Sequence, residues 1–444
     1  MRINKISLLL IFLVNFSFAI PSTTNIQKTT FSSLNKFILK NGIRIICQKD
    51  STSSLTVARI FIKGGKLAEP EGKSGLSFLT TRLAVDPGSS NDVQKIATMG
   101  SKISVNGSFD YTTIEIECLS KNFEKTIKII SKSFTKPLFS GIRINRIKKI
   151  MEARQKREKE EPWLLIENIH NNLRFGKKHY GNPVYGNEES IKSINKKDIK
   201  NFYNAYFRGE NLIISVVTDL DSNAVYDIIK KYFSKIPAGE SKLKKNKAQI
   251  ILQAQDKFIY KNRRQSLIMI AYPQSEINEK NFALGYLLNV LIGKGTYSRL
   301  WALRQKEKLA YSIRSKVNFM LFAGTFSACI ETHHDNQEKT VKLLKNEFKK
   351  LIENGVSEEE LEIAKINSIA SFLRENESKS KKAFTFGYFE IHGLGYEYPN
   401  KFFNIIENIS LKEFNTYIKK WLKPEYKIQI IIGKKAPQFI KASV

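Results

Sequence analysis

The side chains best suited to bind a metal ion or carry a proton are five histidines: His170, His179, His333, His334 and His392. A helical zinc site needs two histidines at positions i and i+4 together with a third ligand. The only close pair is His333 and His334, and because neighbouring side chains of a strand point to opposite faces, we predict that these two face apart. We interpret them as surface or loop residues and predict no metal site in this chain.

Other catalytic signatures are also absent. The sequence contains no G-x-S-x-G elbow, no Walker loop and no G-x-G-x-x-G, which argues against triad hydrolases, NTPases and dinucleotide-binding enzymes. The three cysteines, Cys47, Cys118 and Cys329, lie far apart in alternating or β-branched segments without a C-x-x-C spacing. Buried thiols are predicted, with at most one bridged pair, and the redox state is left open.

The segment from Gly293 to Ile313 carries the most specific motif, and it reads G-K-G-T-Y-S-R-L-W-A-L-R-Q-K-E-K-L-A-Y-S-I. It resembles the Gly-rich turn, S-R-L helix and L-R-x-K-x-x-L-x-Y signature in the second domain of pitrilysin-like inverted zinc peptidases. That family includes insulinase, the processing peptidase and core proteins of respiratory complexes. The resemblance extends over essentially the whole mature chain, including residues 179–195, and implies an α+β fold of two homologous pitrilysin-like domains.

The zinc motif of the family is where this sequence departs from the resemblance. Catalytic members carry H-x-x-E-H after a Gly-Leu pair, and this motif supplies two zinc ligands and the general base. After Gly75 and Leu76, this chain has Phe78, Thr81 and Arg82 at those positions. Phe has no lone pair, Thr is no base near neutral pH, and a charged Arg repels a dication. The expectation is therefore that this chain holds no zinc and that a partner subunit does.

Acidic residues near the family's third zinc ligand do not restore a site by themselves. Glu152, Glu158 and Glu160 lie in a segment with helical spacing. We interpret them as part of a solvated helix face.

Two residues of the family's second-domain signature are retained, Arg304 and Tyr311. The resemblance implies that such an Arg and Tyr reach the zinc centre and hold the substrate carbonyl as it becomes an oxyanion. A guanidinium and a phenol are donors at neutral pH and can stabilise developing negative charge where water is excluded. From spacing alone, an Arg in a helix-surface ion pair and a Tyr packed at the start of a strand would be the favoured explanation. The flanking signature reverses that preference.

Three functions remain open. Retention of Arg304 and Tyr311 with loss of the zinc motif fits the zinc-free subunit of an exported heterodimeric peptidase, inactive alone and acting on peptides with a partner that carries H-x-x-E-H. The alternative is a catalytically inert peptide-binding scaffold or chaperone of the same fold. A basic protein that binds nucleic acid or anionic lipid would differ by the steep salt dependence of its affinity. The substrate, the partner's identity and homodimerisation are not predicted.

The elements that must position these residues follow from the periodicity. Asn41-Gly42 favours a two-residue hairpin turn between strands at 37–39 and 43–46. Further strands are predicted at 54–62, in the pair 103–119 that turns near Asn106-Gly107, and at 211–217. Helices are predicted at 75–84, 121–135, 142–160, 196–207 and 222–233.

The sequence is internally repeated. Residues 124–134 match 338–348 without a gap at an offset of 214, and 198–207 match 413–422 at an offset of 215. Two blocks with nearly the same offset indicate two copies of one fold. The polar and basic stretch 236–250 is predicted to be a linker between an N-terminal domain at 34–235 and a C-terminal domain at 251–436.

The composition describes a folded, strongly basic chain. Its 444 residues are 42% hydrophobic, and 73 Lys and Arg against 42 Asp and Glu give a formal net charge of +31. The basic residues are scattered without the aromatic interleaving of a nucleic-acid stacking surface, so no nucleic-acid partner is predicted.

The first residues have the pattern of an export signal. Arg2 and Lys5 precede an apolar stretch at 6–18 that is short for a membrane span, and Ala19 ends a small-residue cleavage site. We expect residues 1–19 to be removed as a signal peptide, which predicts a periplasmic or secreted protein without stable membrane insertion. The alternative is an uncleaved anchor.

Overall fold

The computed structural model describes residues 31–308 and 310–436, which form two halves of similar design. The elements of the first half are β1 (Leu34–Ile38), β2 (Arg44–Lys49), β3 (Leu55–Lys63), α1 (Gly65–Ala68), α2 (Leu76–Ala84), α3 (Ser90–Thr98), β4 (Lys102–Gly107), β5 (Tyr111–Leu119), α4 (Phe123–Thr135), α5 (Gly141–Glu160), α6 (Pro162–Phe175), α7 (Glu188–Ser193), α8 (Lys196–Tyr206), β6 (Leu212–Thr218) and α9 (Ser222–Phe233).

The second half repeats this succession without counterparts of β1, α1 and α9. Its elements are β7 (Gln255–Tyr260), β8 (Gln265–Gln274), α10 (Glu279–Gly293), α11 (Arg299–Glu307), β9 (Ala310–Phe319), β10 (Gly324–His333), α12 (Gln337–Asn354), α13 (Glu358–Glu375), α14 (Lys379–Ile391), α15 (Tyr398–Glu407), α16 (Leu411–Trp421) and β11 (Ile428–Gly433). Within the described residues, no helix is both long and apolar enough to cross a membrane.

The two sheets have the same strand order, which confirms the predicted duplication. The first sheet runs β1-β2-β6-β3-β5-β4 and the second β7-β11-β8-β10-β9. Without β1, each has five strands in equivalent positions, with one parallel pair, β2 with β6 and β7 with β11. The matched blocks correspond to α4 and α12, and to α8 and α16. The predicted α+β fold with two homologous domains is therefore observed.

Of the two Asn-Gly pairs that predict hairpin turns, one lies in a turn and the other does not. Gly42 has a φ of +89°, and the Leu39 amide donates to the Ile43 carbonyl at 2.9 Å, so the first turn is where Asn41-Gly42 predicts it. The second turn begins two residues later than expected. Asn106 and Gly107 stay in β4, paired with β5, and the chain turns at 108–110.

One helix of each half packs on the sheet of the other half. Helix α6 of the first half packs on β8 and β11, where Ile166 joins Met269 and Ile430 in one buried cluster. Helix α14 of the second half packs on β3 and β6, where Phe386 is buried with Phe61. The two halves therefore complete each other's cores.

The connection between the halves is irregular but attached to both. Residues 234–254 contain only a three-residue 3-10 helix at 245–247. The buried Arg174 at the end of α6 donates to the Ile251 carbonyl at 2.7 Å and to the Tyr426 carbonyl at 2.6 Å. This guanidinium links the connection to the turn that precedes β11.

The three cysteines are buried and free, as predicted. Burial raises the pKa of the Cys47 and Cys118 thiols to about 11 and raises that of Cys329 further. A thiol must ionise to act as a nucleophile, so these positions are inert packing residues.

Candidate functional site

Phe78 occupies the first position of the lost zinc motif and is packed on every side. It lies on α2, is 1% exposed and meets the Tyr185 ring edge-on with centroids 4.8 Å apart. The Arg154 guanidinium of α5 lies over both rings, 5.2 Å from Phe78 and 4.7 Å from Tyr185. The Phe78 ring, the Tyr185 ring and the stacked guanidinium therefore fill the space around the first position of the motif.

The side chains at the other two positions of the motif contact neighbouring residues of the same region. The buried Thr81 hydroxyl donates to the Ser77 carbonyl one turn earlier at 2.8 Å. Arg82 lies 3.9 Å from Asp86, a carboxylate that also binds Arg143 and Arg146. Phe78 has no lone pair and Arg82 carries a positive charge, which leaves only the neutral Thr81 hydroxyl, so the residues present do not fit a zinc ion on α2.

The acidic residues of α5 divide into two groups. Glu152 and Glu160 are exposed, as expected of a solvated face. Glu158 is half-buried because α6 packs beside α5, and Asn168 donates to its carboxylate at 3.0 Å. Burial raises the pKa of Glu158, so the interpretation of this residue as solvated is wrong.

The carboxylate that the sequence reasoning missed is Glu69, which lies between α1 and α2. It is 1% exposed, and its Oε1 accepts hydrogen bonds from the Gly75 amide at 3.1 Å, the Ser77 amide at 2.9 Å and the Ser77 hydroxyl at 2.7 Å. Glu69 therefore caps the N-terminus of α2 from six residues upstream. The usual capping signal lies at the cap itself, so no local pattern indicates this role.

Glu69 makes the stability of the chain depend on pH. Burial raises its pKa to about 7 from an ordinary 4.5, so the folded chain keeps this proton to higher pH than the unfolded chain. Its contribution is fully present below the unfolded value and is lost as the pH rises towards 7. With Glu69 present, the unfolding free energy should fall by about 1.4 kcal/mol per pH unit over this range. A glutamine side chain cannot ionise, so Glu69→Gln should lack this part of the pH dependence.

Urea unfolding at several pH values between 4.5 and 7 measures that slope. Glu71→Gln is the matched control, since Glu71 is an exposed neighbour whose carboxylate pairs with Lys178 at the surface. A slope in Glu69→Gln equal to that of the control would contradict the assignment.

Arg304 lies in the last turn of α11 in the second half. Its guanidinium stands over the Trp301 ring at 4.8 Å, and it forms no ion pair with any other residue that the structure describes. The helix ends where Lys308 adopts a left-handed conformation with φ +53° and donates its amide to the Arg304 carbonyl at 2.9 Å. The guanidinium is therefore available to an acceptor from outside the chain.

Tyr311 is the extra residue of a β-bulge. In the pairing of β9 with β10, Ser312 is opposite Glu331 and Ala310 is opposite Thr332, so Tyr311 has no partner residue. β9 is an edge strand, and the Tyr311 side chain is 70% exposed. Bulges re-aim side chains and are frequent beside active sites. The bulge presents the phenol to solvent, with no hydrogen bond to another described residue.

The predicted site residues are distributed over both halves. Helix α2, with Phe78, Thr81 and Arg82, packs against α5, α8 and β4, whereas Arg304 and Tyr311 lie on α11 and β9. Among the described residues, no hydrogen bond, ion pair or ring contact joins the two groups.

A cleft of about 540 Å³ lies between the halves. It is lined by aromatic side chains from both halves and by three lysines: Phe109, Tyr111, Phe282, Tyr286, Phe319, Phe372, Phe384, Tyr388, Phe389, Lys294, Lys316 and Lys381. Glu375 also lines the cleft and pairs with Lys294, and Lys316 pairs with Glu167, so the surface suits an apolar ligand with polar groups.

The adjacent histidines do not face apart, so that prediction is wrong. His333 Nδ1 lies 3.2 Å from one oxygen of Asp335, and His334 Nε2 lies 3.1 Å from the other. The ring centroids are 4.3 Å apart. Strand alternation does not apply because β10 ends at His333 and a 3-10 turn begins at His334.

Two family profiles match most of the chain. The profile of the insulinase family, peptidase family M16, matches residues 44–188, and the profile of the peptidase M16 inactive domain matches residues 193–368.

Similar proteins span nearly the same length. An uncharacterized zinc protease of Rickettsia bellii is 24% identical over 379 residues, 84% of this chain and 90% of that protein. The non-peptidase homolog YmxG of Helicobacter pylori is 23% identical over 385 residues, 85% of this chain and 88% of that protein. A crystal structure of a peptidase M16 inactive domain from Pseudomonas fluorescens has a TM-score of 0.81 at 20% identity and covers 92% of this chain and 99% of that one.

Proposed function

The chain belongs to peptidase family M16, as a homologue with an inactive-type domain, and on that premise we propose that it is the zinc-free subunit of an exported two-chain zinc peptidase. The observation that carries the proposal is the contrast between the two groups of site residues. Phe78, Thr81 and Arg82 are occupied by packing and local bonds, whereas Arg304 and Tyr311 are unpaired donors beside a bulge. A partner that carries H-x-x-E-H supplies the zinc.

The two retained donors act on the charge that forms during carbonyl attack. A zinc ion held by the partner would supply Lewis-acid polarisation of the scissile carbonyl and activation of water. The Arg304 guanidinium and the Tyr311 hydroxyl donate to the oxyanion that develops on the substrate, and this stabilises the transition state more than the bound peptide. This chain has no base at the zinc-motif positions, so it has no turnover alone.

Reconstitution tests the proposal directly. This chain, a homologous H-x-x-E-H chain from the same genome and an equimolar mixture are each assayed with a library of quenched fluorescent peptides. We expect cleavage to require the mixture, or to rise strongly in it. Equal cleavage by the partner chain with and without this protein would contradict the proposal.

The aromatic cleft supports a second candidate function, an inert scaffold or chaperone that binds peptides without cleaving them. Its rings offer apolar contacts to an extended peptide, and Lys381 offers a charge. Saturable binding of peptides by this chain alone, without cleavage in any mixture, would favour this function.

Export is part of the proposal, and it predicts a specific processed terminus. Residues 1–19 lie outside the described residues. The charged start, the short apolar stretch and Ala19 favour cleavage after Ala19. Mass spectrometry of the protein from its native cell should find a chain that begins at Ile20. A chain that begins at Met1 and fractionates with membranes would support the anchor alternative.

A further inference from the structure

We propose that His333, His334 and Asp335 bind one divalent transition-metal ion at the end of β10. The three residues offer two imidazole nitrogens and a carboxylate oxygen within 4.8 Å of one another. This site is independent of the lost zinc motif on α2 and of the proposed subunit function.

The distances between each imidazole nitrogen and the Asp335 carboxylate suit a single ion. Ligand nitrogens and oxygens lie about 2.0–2.2 Å from zinc, so two ligands at tetrahedral or octahedral angles are roughly 2.9–3.5 Å apart. The separations between imidazole nitrogen and Asp335 oxygen are 3.2 Å for His333 and 3.1 Å for His334. All three donor atoms lie within 4.8 Å of one another, so small rotations of these side chains would place them around one cation, which would replace the 3.5 Å hydrogen bond that His333 Nδ1 accepts from the Asp335 amide.

A backbone carbonyl prepares one imidazole for a metal. His334 Nδ1 lies 3.2 Å from the Arg264 carbonyl oxygen, which can only accept a hydrogen bond. Nδ1 therefore carries the proton, and in the neutral ring Nε2 presents its lone pair towards Asp335. In most metal-binding histidines, the ring nitrogen that does not bind the metal donates a hydrogen bond of this kind, which fixes the tautomer and the orientation of the ring.

The donor set indicates which metals the site takes. Two imidazoles with one carboxylate favour Zn²⁺, Co²⁺, Ni²⁺ or Cu²⁺ over Mg²⁺ and Ca²⁺, which prefer oxygen ligands. His333 and Asp335 are exposed, so water can complete the coordination. The net charge of +31 opposes cation binding, so an exchangeable ion is expected here.

The strand register places the site beside the bulge of β9. Thr332, which precedes His333, pairs with Ala310, the neighbour of Tyr311. The α12 residue Lys339 also pairs with Glu307 at the end of α11 at 3.1 Å. The site therefore lies in the part of the second half that carries Arg304 and Tyr311.

Metal titration of the full chain without a polyhistidine tag tests the proposal. Isothermal titration with ZnCl₂ and absorption spectroscopy with CoCl₂ should each show one ion per chain, with MgCl₂ unable to compete. His334→Gln and Asp335→Asn should each weaken Zn²⁺ binding by at least about 10-fold. His179→Asn is the matched control, because it removes an imidazole elsewhere and Asn tolerates the φ of +42° at that residue.

Each result of the metal titration either supports or overturns the site. Binding that is lost in both site variants and kept in the control supports the site, with circular dichroism to show that each variant is folded. An absence of binding by the unmutated chain, or binding of equal affinity in both variants, overturns it. Neither result depends on peptidase activity.

Discussion

With a zinc-bearing partner, the double variant Arg304→Ala with Tyr311→Phe is expected to cleave peptides about 100-fold more slowly than the unmutated chain, or slower still, while pairing equally well. Loss of an oxyanion donor commonly costs this much in rate, because the interaction forms only as charge develops. The fall should appear in kcat rather than KM. Arg304→Lys should also be impaired, since an ammonium does not present the donors of a guanidinium fork.

The matched control is Arg157→Ala with Tyr260→Phe, which changes the same residue types at exposed positions of α5 and β7. The Arg157 side chain is 76% exposed, and Tyr260 is 63% exposed. Gel filtration verifies that each variant pairs with the partner. A double variant that pairs normally and cleaves at the unmutated rate would identify Arg304 and Tyr311 as packing residues and would favour the scaffold function.

The second large effect is expected on stability, at the contact between α14 and the first sheet. A Cβ at Gly387 would lie 2.1 Å from Cε2 of Phe61. Phe61 is fully buried, with its ring 5.4 Å from that of Tyr111 and 5.7 Å from that of Phe384, so it has little room to move. Gly387→Ala should therefore lower the free energy of unfolding by about 3 kcal/mol.

The control for this prediction is Gly141→Ala at the start of α5. A Cβ there meets no atom within 4 Å, so the substitution should be neutral or stabilising by up to about 1 kcal/mol. Urea unfolding followed by tryptophan fluorescence measures both variants. Equal midpoints for Gly387→Ala and the unmutated chain would show that α14 can shift on the sheet at no cost.

Periodicity and turn chemistry predicted most elements of the first half and the duplication, because both depend on residues close together in sequence. They did not predict the exchange of α6 and α14. An apolar stripe such as that of α14 shows that a face is buried, but not which sheet covers it. Offsets in the sequence likewise indicate two copies without showing that the copies share their cores.

For single residues of the candidate site, sequence prediction also stops where contacts distant in sequence decide the structure. The motif around Arg304 and Tyr311 is visible in the sequence, but the bulge that exposes Tyr311 depends on the register with β10. The two histidines do not alternate because β10 ends at His333 and His334 already belongs to a 3-10 turn. Glu69 acts on amides six and eight residues away, beyond any capping pattern.

The helix exchange also sets an order of events during synthesis. The last strand of the first sheet ends at Thr218, but the helix that covers β3 and β6 begins at Lys379, which is 161 positions later. At ordinary translation rates this is an interval of roughly 10–30 s. During it the apolar face of the first sheet has no cover, so the nascent chain offers a long-lived binding surface to chaperones and aggregating neighbours.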